Sequence, residues 1–186
     1  MWIVKLGGSL HDAPVLRDRL AELAEVSGPP RVAVPGGGPF ADSVRALQPK
    51  LGIDDGAAHR MAILAMQQFG LMLHALEPRL ALAETDAELQ SAHAAVWLPW
   101  HLAGHDPTIP GRWEVTSDSL ACWLAIRLSA ARLTLVKSAE IARLPPEPVL
   151  WARAGIVDPA FPDFAAQFGG RIELAHRDQP LTSGGG

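Results

Sequence analysis

The chain has 186 residues, 48% of them hydrophobic and 19% charged, and at about 150 residues per domain this describes one compact unit that buries roughly 70% of its unfolded surface. A single cysteine, Cys122, excludes an intramolecular disulfide framework. Sixteen basic against twenty acidic residues leave a net charge of −4, which argues against a general polyanion binder; no nucleic-acid partner is expected. No apolar run approaches the ~18 residues of a membrane span and Met1–Lys5 is too short for a secretory core, so the expectation is a cytoplasmic protein without a membrane partner.

In chain order, Trp2–Leu6 is β-prone and stops at Gly7-Gly8-Ser9, and a helical pattern follows over 14–26. Gly28-Pro29-Pro30 breaks the chain. Arg31–Val34 is a second buried-type strand, Pro35-Gly36-Gly37-Gly38-Pro39 a second glycine turn, and Phe40–Leu47 a helix. A long, mostly apolar helix is predicted from Asp54 to about Leu76, capped by Asp54 or Asp55; its Met61–Leu76 stretch suits a core or a subunit interface, and a homo-oligomer is expected. A short helix near 86–93, a strand at 95–98 and a loop over Pro99–Pro110 follow. Thr116-Ser117-Asp118-Ser119 caps an apolar helix over 120–130, and Arg132–Val136 is a strand ending at Lys137. Gly155–Pro159 reads as a turn, 161–168 as a helix and 171–174 as a strand. Alternating strands and helices imply an α/β fold: a three-layer αβα sandwich around a mainly parallel sheet, with ligands at the carboxyl ends of its strands.

Both glycine turns follow strands and precede helices, where backbone N–H groups cradle phosphate oxygens without hindrance from a Cβ. Lys5, just behind the first turn, can set a compact positive charge against a transferring phosphoryl group. Neither turn fits a Walker A loop or Gly-x-Gly-x-x-Gly, and either alone is an ordinary tight turn. Asp118 reads as an N-cap or as a carboxylate facing the same crevice as Lys5, and Lys137 as a second cation or a solvated strand end. His101, His105 and Asp106 have i, i+4 spacing, but in a Pro/Gly-bounded loop, so no metal site is expected there. His59, Arg60 and Arg45 could reach the crevice, but solvated or salt-bridged faces account for each of them better. Asp42, one turn into its helix, suits a substrate ammonium or a surface carboxylate; Cys122 reads as inert core.

Taken together, Val4-Lys5-Leu6-Gly7-Gly8-Ser9, Val34-Pro35-Gly36-Gly37-Gly38-Pro39-Phe40-Ala41-Asp42, and Thr116–Ala121 through Leu135-Val136-Lys137-Ser138 resemble the amino acid kinase superfamily, in order over about three quarters of the chain. That superfamily includes acetylglutamate, aspartate and uridylate kinases. Within it, the Pro-Gly-Gly-Gly-Pro-Phe-Ala-Asp turn and the 113–118 segment are most similar to the small aminomethylfuran-methyl phosphate kinases of methanofuran-type cofactor biosynthesis. The resemblance implies catalytic roles for Lys5, Asp118 and Lys137. It implies phosphate or substrate binding at Gly7, Gly8, Ser9, Gly36, Gly37, Gly38 and Asp42, and nucleotide binding at Ser117, Lys137 and Ser138. It further implies ATP and Mg2+, a small phosphorylated substrate, an acceptor half over 1–113, a nucleotide half over 114–180 and a flexible tail over 181–186.

The family's Asp-Gly turn is missing from Val136-Lys137-Ser138-Ala139-Glu140, and no lysine follows Lys137, so Lys137 itself is the candidate for the second charge. Two other readings stay open: the same fold with a nucleoside monophosphate or carboxylate acceptor, and a non-catalytic binding or storage protein. Trp97, Trp100 and Trp113 bracket the Pro99–Pro110 loop and are candidates for enclosing an aromatic acceptor.

Overall fold

A computed structural model describes residues 1–25, 27–141 and 144–181. Its strands are β1 (Trp2–Leu6), β2 (Arg31–Pro35), β3 (Ala81–Ala83), β4 (Ala94–Trp97), β5 (Arg132–Lys137) and β6 (Arg171–His176). They form one sheet in the order β3-β4-β2-β1-β5-β6, and every described pairing is parallel. Helices α1 (Leu16–Leu23), α2 (Gly38–Leu51), α3 (Asp55–Leu76), α4 (Asp86–Ser91), α5 (Trp100–Ala103), α6 (Ser117–Arg127), α7 (Pro148–Arg153) and α8 (Phe161–Ala165) make the connections. The α/β sandwich expected from the strand–helix alternation is present. No described helix is long and apolar enough to cross a membrane.

Alternation along β1 divides the core. Trp2, Val4 and Leu6 pack with Leu16, Leu20 and Leu23 of α1, whereas Ile3 joins the α6 residues Leu120, Ala121 and Leu124 on the opposite face. Lys5 falls on the α6 face by the same period of two. Because β1 sits between β2 and β5, with β2 and β4 on one side and β5 and β6 on the other, the connections diverge at its carboxyl end. Parallel α/β sheets open their ligand crevices at such a point.

Several local readings are corrected. Helix α2 does not stop at Leu47: it runs through Pro49, whose fixed φ suits a helix even though its N–H is lost, and it closes at Gly52 with φ 63°. Helix α1 ends at Leu23, where Arg31 donates to the carbonyls of Glu22, Glu25 and Ser27. β3 went unread because it is a three-residue edge strand with two exposed side chains. Helix α4 stops at Ser91, ahead of β4, and its start is fixed by a capping box between Thr85 and Glu88. The Pro99–Pro110 segment opens with α5 rather than being loop throughout. Helix α8 ends at Ala165, and β6 extends to His176. Leu181, assigned to the tail, is buried and its N–H donates to Glu22. The remaining tail, 182–186, lies outside the described residues.

Candidate active site

Strand register brings the lysines together. Lys5 pairs with Leu135 across β1 and β5, and Lys137 lies two residues further along β5, so both side chains project from the same sheet face one pleat apart. Asp118, in the first turn of α6, enters between them. Its Oδ1 lies 2.8 Å from Lys5 Nζ, and Lys137 Nζ donates to both carboxylate oxygens at 2.7 Å. All three side chains are at least nine-tenths buried. The helix N-terminus adds its own partial positive charge behind the carboxylate.

Burial opposes ionisation of Asp118, but the Lys5 and Lys137 ammoniums outweigh it and hold the carboxyl below the usual aspartate range. Lys137 moves the other way. Desolvation, reinforced by repulsion from Lys5, brings its ammonium down to about 8, against the opposing pull of Asp118 and Asp158. A deprotonated Lys137 carries no charge, so any activity that depends on its ammonium is expected to fall as pH rises through about 8. In Lys137→Arg the guanidinium stays charged over that range, and the alkaline fall should vanish even if turnover drops because the planar fork fits poorly. A pH–rate profile checks both; the same alkaline limb in the arginine variant contradicts the assignment.

Asp158 is the residue that sequence reasoning missed. Thr116 stands at the N-cap of α6, yet its side chain does not cap the helix. Instead the buried Asp158 carboxylate, from the turn between α7 and α8, accepts from Thr116 N at 3.0 Å, Thr116 Oγ1 at 2.8 Å, Ser119 N at 3.0 Å and Ser119 Oγ at 2.5 Å. It therefore fixes the turn that carries Asp118. Asp158→Ala should destabilise the fold by about 2 kcal/mol, the scale of a lost buried cap with charged hydrogen bonds, and lower kcat with it. Urea unfolding beside steady-state kinetics checks this; unchanged values for both contradict it.

The two glycine turns meet physically. A Cβ at Gly36 would lie 2.3 Å from Gly8 N, and one at Gly8 would lie 2.4 Å from Gly38 N, so the backbones touch where no side chain fits. Gly38 also has φ +53°, with Phe69 2.9 Å from where its Cβ would be. Gly7 differs: its Cβ direction meets only ordinary contacts and points toward Lys5 Nζ at 3.8 Å, so glycine here keeps the space beside that ammonium open.

Beside these turns is a cavity of about 540 Å3, lined by Gly8, Ser9, Gly37, Gly38 and Asp42, by Ser117 at the start of α6, and by His59, Ile63 and Met66 of α3. Ser9 Oγ and Ser138 Oγ are 3.0 Å apart, joining the first turn to the end of β5. Asp42 is paired with Arg45 at 2.7 Å, and Arg45 lies over the Trp113 ring at 4.6 Å. Of the three tryptophans considered, only Trp113 lines the cavity. Trp97 is fully buried against Trp123, and Trp100 packs edge-on to His105, so neither is in the cavity wall. Arg60 is exposed and outside the lining. Cys122 is buried in α6, with desolvation pushing its thiol up to about 12. Among the described residues no group of three or more His, Cys, Asp or Glu could hold a metal ion, and Asp118 has both oxygens engaged by lysines.

Residues 1–141 match the amino acid kinase family. The chain belongs to the amino acid kinase family. It is a kinase, and the family's chemistry implies ATP as phosphoryl donor and a small molecule as acceptor. A relative with 28% identity over 144 residues, covering 75% of this chain and 67% of its own length, is the (5-(aminomethyl)furan-3-yl)methyl phosphate kinase of Methanocaldococcus jannaschii. In fold, the kinase resembles the uridylate kinase of Archaeoglobus fulgidus with a TM-score of 0.68 at 15% identity, covering 92% of this chain and 89% of the other.

Proposed function

We propose that this kinase transfers the γ-phosphoryl group of ATP to a phosphate oxygen of a small phosphomonoester, giving a diphosphate and ADP. The observation that carries the proposal is the buried Lys5–Asp118–Lys137 cluster next to a cavity walled by two touching glycine turns. An acceptor phosphate oxygen forms a new bond to the γ-phosphorus while the bond from that phosphorus to the β,γ-bridging oxygen breaks, and ADP leaves with the electron pair. A phosphomonoester dianion is already nucleophilic at neutral pH, so no base has to remove a proton. That suits a site whose central carboxylate is saturated by two ammoniums rather than free to act as a base.

Catalysis then rests on position and charge. Lys5 faces the moving phosphoryl group, and Lys137 meets the nucleotide phosphates. Asp118 holds both ammoniums at fixed places, and the N–H groups of Gly7, Gly8, Gly37 and Gly38 donate to phosphate oxygens, while Gly36, whose own N–H donates to the Leu6 carbonyl at 2.9 Å, lets the two turns approach closely. Ser9, from the acceptor half, 1–113, and Ser117, from the nucleotide half, 114–180, both line the cavity, and Ser138 joins Ser9 from the end of β5. Among the described residues no cluster of carboxylates or histidines makes a cage for Mg2+, so the ion would arrive on the nucleotide phosphates, whose charge it neutralises. Trp113 gives the acceptor an aromatic wall, and Asp42 stands at the rim.

The relative named for an aminomethylfuran-methyl phosphate supports a phosphomonoester and makes that compound the first to try. ADP release should be followed against a panel of small phosphomonoesters, UMP, aspartate and acetylglutamate. Turnover confined to phosphomonoesters supports the proposal, and turnover confined to carboxylates refutes it. Self-association belongs to the same proposal. Leu64 and Leu71, seven residues apart on α3, are 40% and 47% exposed, and sedimentation at micromolar concentration should find a species larger than the monomer.

A further inference from the structure

Positions 59, 62, 63 and 66 follow the i, i+3, i+4, i+7 spacing of one helical face, and all four line the cavity. The stripe is apolar at Ala62, Ile63 and Met66 and polar only at His59, which is 6% exposed. Several other polar groups around the cavity have partners: Asp42 with Arg45, Ser9 with Ser138, His11 with the Gly8 carbonyl and Trp113 with Gln48. His59 Nε2 is buried and has no hydrogen-bond partner in the protein. Among the described buried side-chain nitrogens left in that state, it alone belongs to a residue lining this cavity. Burial, helped by the Arg60 charge, keeps the ring below its ordinary pKa despite a backbone hydrogen bond at Arg112. The imidazole is therefore neutral at neutral pH. A carbonyl can only accept, so the ring nitrogen facing Arg112 keeps the proton, and Nε2 is left with a lone pair.

We propose that His59 reads the non-reacting end of the acceptor by accepting a hydrogen bond from an N–H or O–H group on it. This rests on the phosphomonoester reading and narrows it: the acceptor is a phosphomonoester with a polar donor substituent, not a purely hydrocarbon phosphate. The glycine turns and Lys5 serve the phosphate end, the apolar stripe of α3 and Trp113 flank the body, and His59 takes the donor.

The test uses three furan-3-ylmethyl phosphates that differ only in an aminomethyl, hydroxymethyl or methyl group at the 5-position, assayed with the wild-type kinase, His59→Leu and His59→Gln. The wild type should favour at least one of the two donor-bearing acceptors over the methyl compound by about tenfold or more in kcat/KM, the scale of one buried hydrogen bond. In His59→Leu that preference should collapse through a higher acceptor KM, with KM for ATP unchanged. His59→Gln, whose carboxamide oxygen can accept, should restore part of it. Equal wild-type use of all three acceptors overturns the assignment of His59 and leaves the phosphomonoester reading standing. So does an equal loss on all three in the leucine variant. No wild-type turnover of any of them, while a carboxylate is phosphorylated, overturns both. The wild-type preference needs no variant, so a poorly folding substitution does not decide the outcome.

Discussion

Lys5→Met is expected to lower kcat by about 10²–10³-fold, the scale of removing one preorganised charge from a phosphoryl or oxyanion site, while acceptor KM changes little. The reasoning is geometric. Methionine nearly matches the lysine stem on β1, so the packing of this buried strand residue is largely kept and the loss is confined to the ammonium. Asp118 is not orphaned, because Lys137 still donates to both of its oxygens. One further consequence separates this account from a general loss of structure. Repulsion from Lys5 is among the causes that bring the Lys137 ammonium down to about 8, so the alkaline limb of the residual activity should move to higher pH in Lys5→Met. Steady-state kinetics over pH 6–10 would check both effects. A variant that keeps its kcat and loses only acceptor affinity would place Lys5 in ground-state binding and contradict its role.

Asp118→Asn should be more damaging, because it harms fold and chemistry together. The carboxylate is the counter-charge to two ammoniums, both at least nine-tenths buried. Taking one partner from such a cluster usually costs about 3–5 kcal/mol, since the remaining charges are left desolvated and, here, facing each other. The protein can relieve this by deprotonating Lys137, whose ammonium is held up by Asp118. The residual activity of Asp118→Asn should therefore lose its alkaline side below pH 8, opposite to the shift in Lys5→Met. Turnover should fall by about 10³-fold or more, since Lys5 and Lys137 both lose the group that fixes them. Urea unfolding gives the stability loss, and kinetics in the folded fraction gives the rest. Wild-type stability with wild-type kcat would show that Asp118 is only a helix-end residue.

The parts of the site that could be read in advance are those written locally. A strand, a lysine and a glycine turn occupy Val4–Ser9; a strand and three glycines occupy Val34–Gly38; an aspartate starts α6; a lysine ends β5. Each pattern spans a few residues, and the parallel sheet then brings the pieces to one edge because every such strand ends on the same side. What escaped reading depends on long-range placement. Asp158 caps a helix that starts some forty positions earlier, and its own neighbourhood shows only a turn before proline. A helix start whose own Thr116 is left without a capping role gives no warning of this. Trp97 and Trp113 look alike as residues flanking one loop, yet one ends a buried strand and the other faces the cavity. For His59 the helical spacing was visible in the sequence. What was not visible was that Nε2 of this cavity-lining residue is buried without a hydrogen-bond partner in the protein.

The most direct test of the central claim identifies the bond that is made. The purified kinase, Mg2+, ATP and an aminomethylfuran-methyl phosphate would be followed by 31P NMR, with Lys5→Met as control. The account predicts that the acceptor's monoester resonance gives way to the coupled doublets of a P–O–P linkage as ADP accumulates, and that the control is slower by about two orders of magnitude or more. The account would be contradicted if ATP were consumed with the monoester resonance intact, or if the Lys5 variant formed the diphosphate at the wild-type rate.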